Sequence, residues 1–597
     1  MQGLRCLGLM AALMLPTVLF AQNQIADDAA KEKQKKVTQL IEQALSDTQN
    51  LRLPENRAYF YAQIGNLMWP IDQEHATVLF QNAAAELISA QDFAESKRSS
   101  NPNSELLNGG STRQQILNII ASRNAESALE LLVKTRPLTI QKALAGSTDE
   151  TSRKIDDYYQ NRIYLAQNET SMEQNFYRMA ADQNPERAVK LLKESLSKNL
   201  ANDTYYQLQR LAEKDPAAAS EMASRVVEKL LNSDYMVDGQ PRYINIQLTN
   251  QILSNAMSNQ GPKFDSGQIH NLASKLISAY LSDQQVAPYI GQSIIPIAEK
   301  FSPAALAQIK KRTAGASNQN QSSELDAAYQ KLMEADTTPE QMLTAANKFS
   351  LDRRRGIYQS ASNKFLGQGN SQAARNVLAD NFSGETREQM LSNFDIQNTY
   401  NLISQSKFNE AEQVIDGLPE QQRVSMLINL ANSVYSRDQK ANKTYAQTLL
   451  AKAADLTSER PENSAEMGML MQVIAGYSSI EPDEAFRLLE GLIPKINELT
   501  DAAAVINGFQ MNSNVREGEF IMTQGDPFYN YGANASMVGT LAQSDFDRAM
   551  KLIDGFNRQE LRVSLRLQVA SNSALISNLP IQGRSVNISV FSSRRWR

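Results

Sequence analysis

The sequence predicts an all-α protein, a right-handed superhelical stack of antiparallel helix pairs with irregular loop insertions. Three observations predict it. Glycine supplies only 26 of 597 residues and proline 19, so turn formers are scarce for a soluble chain. Alternating β-branched runs are nearly absent before the last dozen residues. One phrase, Ala-x-x-φ-φ with φ apolar, also recurs behind a helix-start signal, so that "NPERAVKLL" at 184–192 returns as "EPDEAFRLL" at 481–489.

The phrase begins at Ala76, Ala128, Ala188, Ala374, Ala411, Ala446, Ala485 and Ala549. Four residues earlier stand Asp72, Asn124, Asn184, Asn370, Asn442 and Asp545, with Lys407 and Glu481 in the remaining two copies. Asp and Asn cap helices because their side-chain oxygens accept from unpaired N–H groups of the first turn. Pro185 and Pro482 occupy the first helical position, where a missing N–H costs nothing. The alanine and the apolar pair three and four residues on share one face, a small residue for close approach and two large ones to fill the groove. Asp215, Ser302 and Thr338 open three further helices, each followed by proline.

From 302 onward the starts fall at 338, 370, 407, 442, 481 and 545, steps of 32 to 39 residues and then one of 64, near two units. That period fits one helix–turn–helix unit stacked on the next. Partner helices precede the phrases, as in "RQQILNIIASR", "EQNFYRMAADQ" and "MGMLMQVIAGYSSI". Each pair has an apolar face that only a neighbouring pair can cover.

This unit resembles the tetratricopeptide repeat and related α-solenoid repeats over about residues 55–230 and 325–570. Helix-pair length, period and the second-helix alanine match. The family's first-helix Trp, Gly and Tyr positions and its late proline do not recur, and no ligand-contacting position carries over. The resemblance implies binding of a protein or peptide on the repeat surface.

Taken in order, residues 1–21 read as a signal peptide, with Arg5, an apolar run from Leu7 to Phe20, and Ala21 at the cleavage point. The run is too short to span a bilayer, so the mature chain is expected to have no transmembrane segment and to be secreted or periplasmic. Cleavage removes Cys6, the only cysteine, which excludes disulfides, thiolate metal sites and a cysteine nucleophile. Residues 22–231 form an N-terminal helical repeat region, with a polar loop at 97–112. Residues 232–324 form a helical region with an irregular insert at 232–267 and a polar linker at 313–324. Residues 325–575 form the C-terminal repeats, interrupted by an aromatic loop at 516–536, and residues 576–597 a basic tail.

The chemical inventory is thin. A formal net charge of −5 without a basic stripe points away from nucleic acid. His75 and His270 are the only histidines. No His-x-x-x-His spacing, phosphate loop or dinucleotide fingerprint occurs, so no catalytic, cofactor-binding or metal residue is assigned, and no cofactor is expected. Loops held by a rigid scaffold tend to carry function. Phe528, Tyr529 and Tyr531 in the 516–536 loop are therefore the candidate recognition residues, since aromatic rings give contact area at low entropic cost. The expectation is an exported, non-enzymatic scaffold for a protein or peptide partner in the cell envelope. The rival is a secreted carbohydrate-active enzyme using a carboxylate pair, because "ENSAEMGMLMQVI" at 462–474 resembles the Gly-Leu-Met-Gln segment of lytic transglycosylases, with an insertion and without their Glu-Ser pair.

Overall fold

A computed structural model of the protein describes residues 35–96, 102–145, 162–237, 240–258, 261–283, 285–316, 325, 328–509, 514–524 and 535–572. The described residues are 81% helical, in helices packed in neighbouring pairs, which settles the all-α class. Sheet among the described residues is confined to two hairpins of two-residue strands, Met236–Val237 with Gln240–Pro241 and Val515–Arg516 with Glu519–Phe520.

Contacts divide the chain into two units, one from residue 120 to 426, the other from the residues up to 119 together with those from 427 on. Within the continuous unit, Arg162–Gln183 pairs with Ala188–Ser197, Thr204–Lys214 with Pro216–Leu231, and Tyr243–Ser258 with Ser266–Ser282. Leu351–Gly367 then pairs with Ser371–Asn381, and Gly384–Ser404 with Phe408–Asp416. Within the discontinuous unit, Pro54–Met68 pairs with Gln73–Ser96, and Ser464–Ile480 with Pro482–Phe509. Ala535–Ser544 with Phe546–Asp554 supplies the second pair of the double-length step.

The recurrent phrase does what its spacing predicts. All eight of its alanines are fully buried. Of the sixteen apolar residues that follow them, only Val414 is not buried. Burying a leucine-sized side chain is worth about 1.5–3 kcal/mol, so each phrase anchors its helix through that one face.

The first helices carry a matching signal. A small buried residue recurs as Gly65, Ala121, Ser362, Ala431 and Ala570, eight residues beyond Arg57, Arg113, Arg354, Arg423 and Arg562. A Cβ on Gly65 would lie 2.6 Å from the Phe80 ring, so the close approach requires glycine there. Four of the arginines reach back to carbonyls just ahead of their own helix: Arg57 to Leu51 and Arg52, Arg354 to Phe349, Arg423 to Leu418, and Arg562 to Phe556 and Asn557.

A second device ties successive pairs in the continuous unit. Lys229 donates to the carbonyls of Leu196, Ser197 and Lys198 at the end of the helix one pair earlier. Lys275 does the same to Leu230, Leu231 and Ser233, and Arg312 to Leu281 and Asp283. Cations at helix C-termini satisfy orphan carbonyls and complement the macrodipole. Burial lowers the ammonium pKa of Lys229 and of Lys275, the cost of packing each between two helices.

The predicted caps divide. Asp72, Asn124, Asp215, Asn370 and Asp545 each accept from the N–H three residues on, and Thr338 forms a full capping box with Gln341. Asn184 and Asn442 correct the expectation. The helix after Asn184 begins only at Ala188, with residues 185–187 in a turn and Arg187 in the cap position without a side-chain capping bond. Asn442 stands at its cap position, but its amide donates 2.9 Å to the Val434 carbonyl of the preceding helix. We therefore expect Asn370→Ala to cost about 1 kcal/mol in chemical denaturation, while Asn184→Ala leaves the unfolding curve in place.

Helix ends show where the sequence is not optimal. Gly369 closes its helix at φ +81°, with the Asn370 N–H on the Phe365 carbonyl. Ser406 occupies the same kind of place at φ +62°, with the Lys407 N–H on the Leu402 carbonyl. A side chain in this left-handed region costs about 1–2 kcal/mol. Ser406→Gly is thus expected to stabilise by about 1 kcal/mol, read as a higher denaturation midpoint.

Three predicted loops also differ. The polar stretch 97–112 enters the helix Pro102–Ala121, whose Thr112 is buried; packing overrides loop-like composition there. The 232–267 insert is a short hairpin followed by the helix Tyr243–Ser258. The first residues of the 313–324 linker still belong to the helix Pro303–Ala316. The signal peptide and the basic tail lie outside the described residues.

Candidate functional site

The candidate recognition residues Phe528, Tyr529 and Tyr531 lie outside the described residues. The stem that leads into their loop is described. It is a hairpin whose connecting residues Glu517 and Gly518 both have positive φ, +52° and +77°, the backbone of a type I′ turn. Strand pairing sets Val515 opposite Phe520 and Arg516 opposite Glu519. Val515, Phe520, Ile521 and Met522 are buried, which fixes the hairpin by its apolar residues.

Glu519 carries the polar part of that attachment. Its Oε2 accepts from the backbone N–H groups of Arg52 and Leu53, each at 2.8 Å, and its Oε1 from the Asn56 amide at 3.3 Å. These are donors at the start of the helix Pro54–Met68, which proline opens and which has no side-chain cap of its own. Asn56 completes the stitch by donating 2.6 Å to the Phe520 carbonyl and accepting from the Met522 N–H at 2.9 Å. From the other side, Glu560 accepts from the Phe520 N–H at 3.3 Å. Arg516 pairs with Glu55, and Arg558 donates 2.6 Å to the Gly518 carbonyl. Beyond the hairpin, the Thr523 hydroxyl lies 2.6 Å from that of Thr112.

Burial raises the Glu519 carboxyl above its ordinary range, opposed by the Leu53 and Asn56 donors and reinforced by the Glu560 charge. Burial raises Glu560 as well. The two acids resemble a catalytic pair in composition only. Their oxygens accept from main-chain and amide donors that hold the hairpin, so this geometry makes them clasps.

The acid of the transglycosylase-like segment is likewise a structural clamp. Glu466 accepts from the Glu462 N–H and the Asn463 amide at the mouth of the helix Ser464–Ile480, where Met467, Leu470 and Met471 are buried. His75 and His270 are exposed, and His270 meets the Phe301 ring edge-on. No group of three or more His, Cys, Asp or Glu side chains among the described residues could hold a metal ion. No described helix is long and apolar enough to cross a membrane.

Sequence reasoning missed Glu519, Asn56 and Glu560. The signal for the hairpin was "VREGEF", a glycine at the second turn position between short apolar flanks. Nothing local announces its partners: Arg52, Leu53 and Asn56 lie more than 450 residues away in sequence and Glu560 40 residues away.

No protein-family model matches the chain, and no curated protein matches it. Among solved structures the chain is similar to a circular tandem repeat protein with novel repeat topology and enhanced subunit contact surfaces. Identity is 12%, coverage 91% of this chain and 97% of that one, and the TM-score 0.17.

Proposed function

We propose that this protein is an exported, non-enzymatic scaffold, a tetratricopeptide-like right-handed stack that holds a protein or peptide partner in the envelope or outside the cell. The observation that carries the reading is the uniform burial of the phrase alanines. It commits one face of each second helix to packing and leaves the outward faces free to vary, the arrangement on which repeat proteins build binding surfaces. The aromatic loop carrying Phe528, Tyr529 and Tyr531 is the proposed contact, presented by the hairpin that Glu519 anchors. Export rests on the leader alone, from Arg5 to Ala21.

The test is mild crosslinking in the native host followed by recovery of the tagged protein from the envelope and extracellular fractions. The expected result is a mature chain lacking residues 1–21 with one stoichiometric protein partner, lost when Phe528, Tyr529 and Tyr531 are replaced by alanine. Recovery from the cytoplasm with the leader intact, or with no partner, overturns the reading.

A further inference from the structure

One surface of the continuous unit is built from two stretches without charged side chains. No Asp, Glu, Lys or Arg occurs from residue 243 to 262 or from 284 to 298, in a protein of which 21% is charged. The two stretches meet in space, because the helix Tyr243–Ser258 packs against the short helix Ala287–Ile290. Their meeting point is aromatic and exposed. The rings of Tyr243 and Tyr289 stand edge to face, 6.0 Å apart, with 47% and 45% of each residue accessible.

Helical spacing puts Tyr243, Gln247, Asn250, Gln251 and Ser254 on one face. Gln247, Gln251 and Ser254 are exposed and Asn250 half-buried. The opposite face is core, with Ile244, Ile246, Leu248, Ile252 and Leu253 buried. Gln247 donates 2.5 Å to the Tyr243 hydroxyl, and the Ser293 hydroxyl lies 3.3 Å from the Asn250 amide oxygen, so the amides are held in place beside the rings. Of the charges at the margins, Lys300 caps the Met257 carbonyl and Asp283 accepts from the Gln285 and Val286 N–H groups, while Arg242, just ahead of Tyr243, keeps an unpaired Nε.

The chemistry selects its ligand by elimination. An ionic partner would give up hydration and find no opposite charge on these stretches. A purely aliphatic partner would strand the amide groups. A proline-rich strand offers carbonyl acceptors but no N–H donors, which leaves the oxygens of Gln247, Asn250 and Gln251 unmatched. A neutral sugar answers each requirement. Its hydroxyls both donate and accept, as side-chain amides do, and its C–H faces lie on the electron-rich face of an aromatic ring. We propose that Tyr243 and Tyr289, with Gln247, Asn250 and Gln251, form a non-catalytic binding ledge for a neutral glycan. The proposal is independent of the protein-partner reading above.

Saturation-transfer NMR on the full-length protein tests it, with cellohexaose, maltohexaose and chitohexaose as neutral probes, trigalacturonate as the anionic one and a decaproline peptide as the competitor class. The expected result is transfer to at least one neutral hexasaccharide, strongest at ring C–H protons, and none to trigalacturonate. Tyr243→Ala with Tyr289→Ala should weaken that binding at least tenfold while the melting curve stays in place, since both rings are exposed. Gln247→Ala, which removes no packing group, should weaken it severalfold and serves if the double variant is misfolded. Transfer to none of the neutral probes, equal binding by the variants, or transfer to decaproline in place of the sugars overturns the proposal.

Discussion

Glu519→Ala is expected to destabilise the discontinuous unit by about 3–5 kcal/mol, because it leaves several buried donors without an acceptor at once. The Arg52 and Leu53 N–H groups both end on its Oε2 and the Asn56 amide on its Oε1, and the residue is only 5% exposed. Differential scanning calorimetry of the full-length protein should show a transition shifted down or split, and proteolysis should cut near 515–524 before elsewhere. An unshifted transition would mean that water replaces the carboxylate without loss. Glu560→Gln serves as the milder comparison, since an amide oxygen can still accept from the Phe520 N–H.

The same acids give a pH dependence of defined sign. Burial holds both carboxyls above their unfolded value near 4.3, so the folded unit binds more protons than the unfolded chain as they titrate. Their contribution is complete below that value and declines as pH rises through the raised folded values. Glu560→Gln should therefore flatten the stability profile above pH 4.3. A steeper profile in that variant contradicts the assignment.

Ala485→Glu is expected to cost at least about 3–5 kcal/mol, the penalty of an uncompensated buried charge, with overpacking added. Ala485 has no exposed surface, and Phe486, Leu488 and Leu489 beside it are buried. Its helix, Pro482–Phe509, packs against Ser464–Ile480. Urea denaturation should show loss of the cooperative transition, or its displacement by more than 1 M for a slope of about 1–3 kcal/mol/M. Ala485→Gly should cost only about 0.5–1 kcal/mol. If the glutamate variant unfolds like the parent, the alanine is not at a helix crossing.

How far the fold could be read from the sequence depended on whether the determining contact was local. The phrase alanines were legible because a helix repeats its face every three to four residues, so composition and spacing record burial directly. Caps were legible where the acceptor and its N–H are three residues apart, as at Asn370 and Asp545. They were misread at Asn184, where the chain makes a turn first, and at Asn442, where the side chain serves the preceding helix. The cations that cap the previous pair, such as Lys275, carry no local signal because their partners lie in another repeat. The polar stretch leading to Thr112 looked like a loop for the same reason. Glu519 was invisible on every local criterion, since its donors belong to the opposite end of the chain.

That last pairing has a temporal consequence. Residues 35–119 leave the ribosome more than three hundred residues ahead of their partners from 427 onward. Residues 120–426 hold all their mutual contacts in one uninterrupted span and can settle while synthesis continues. The helices Pro54–Met68 and Gln73–Ser96 cover each other as a pair, but the surface that meets Gln559–Asn572 stays bare until that helix is made, so chaperone dependence during biogenesis should fall on residues 35–119 and end when 559–572 emerge.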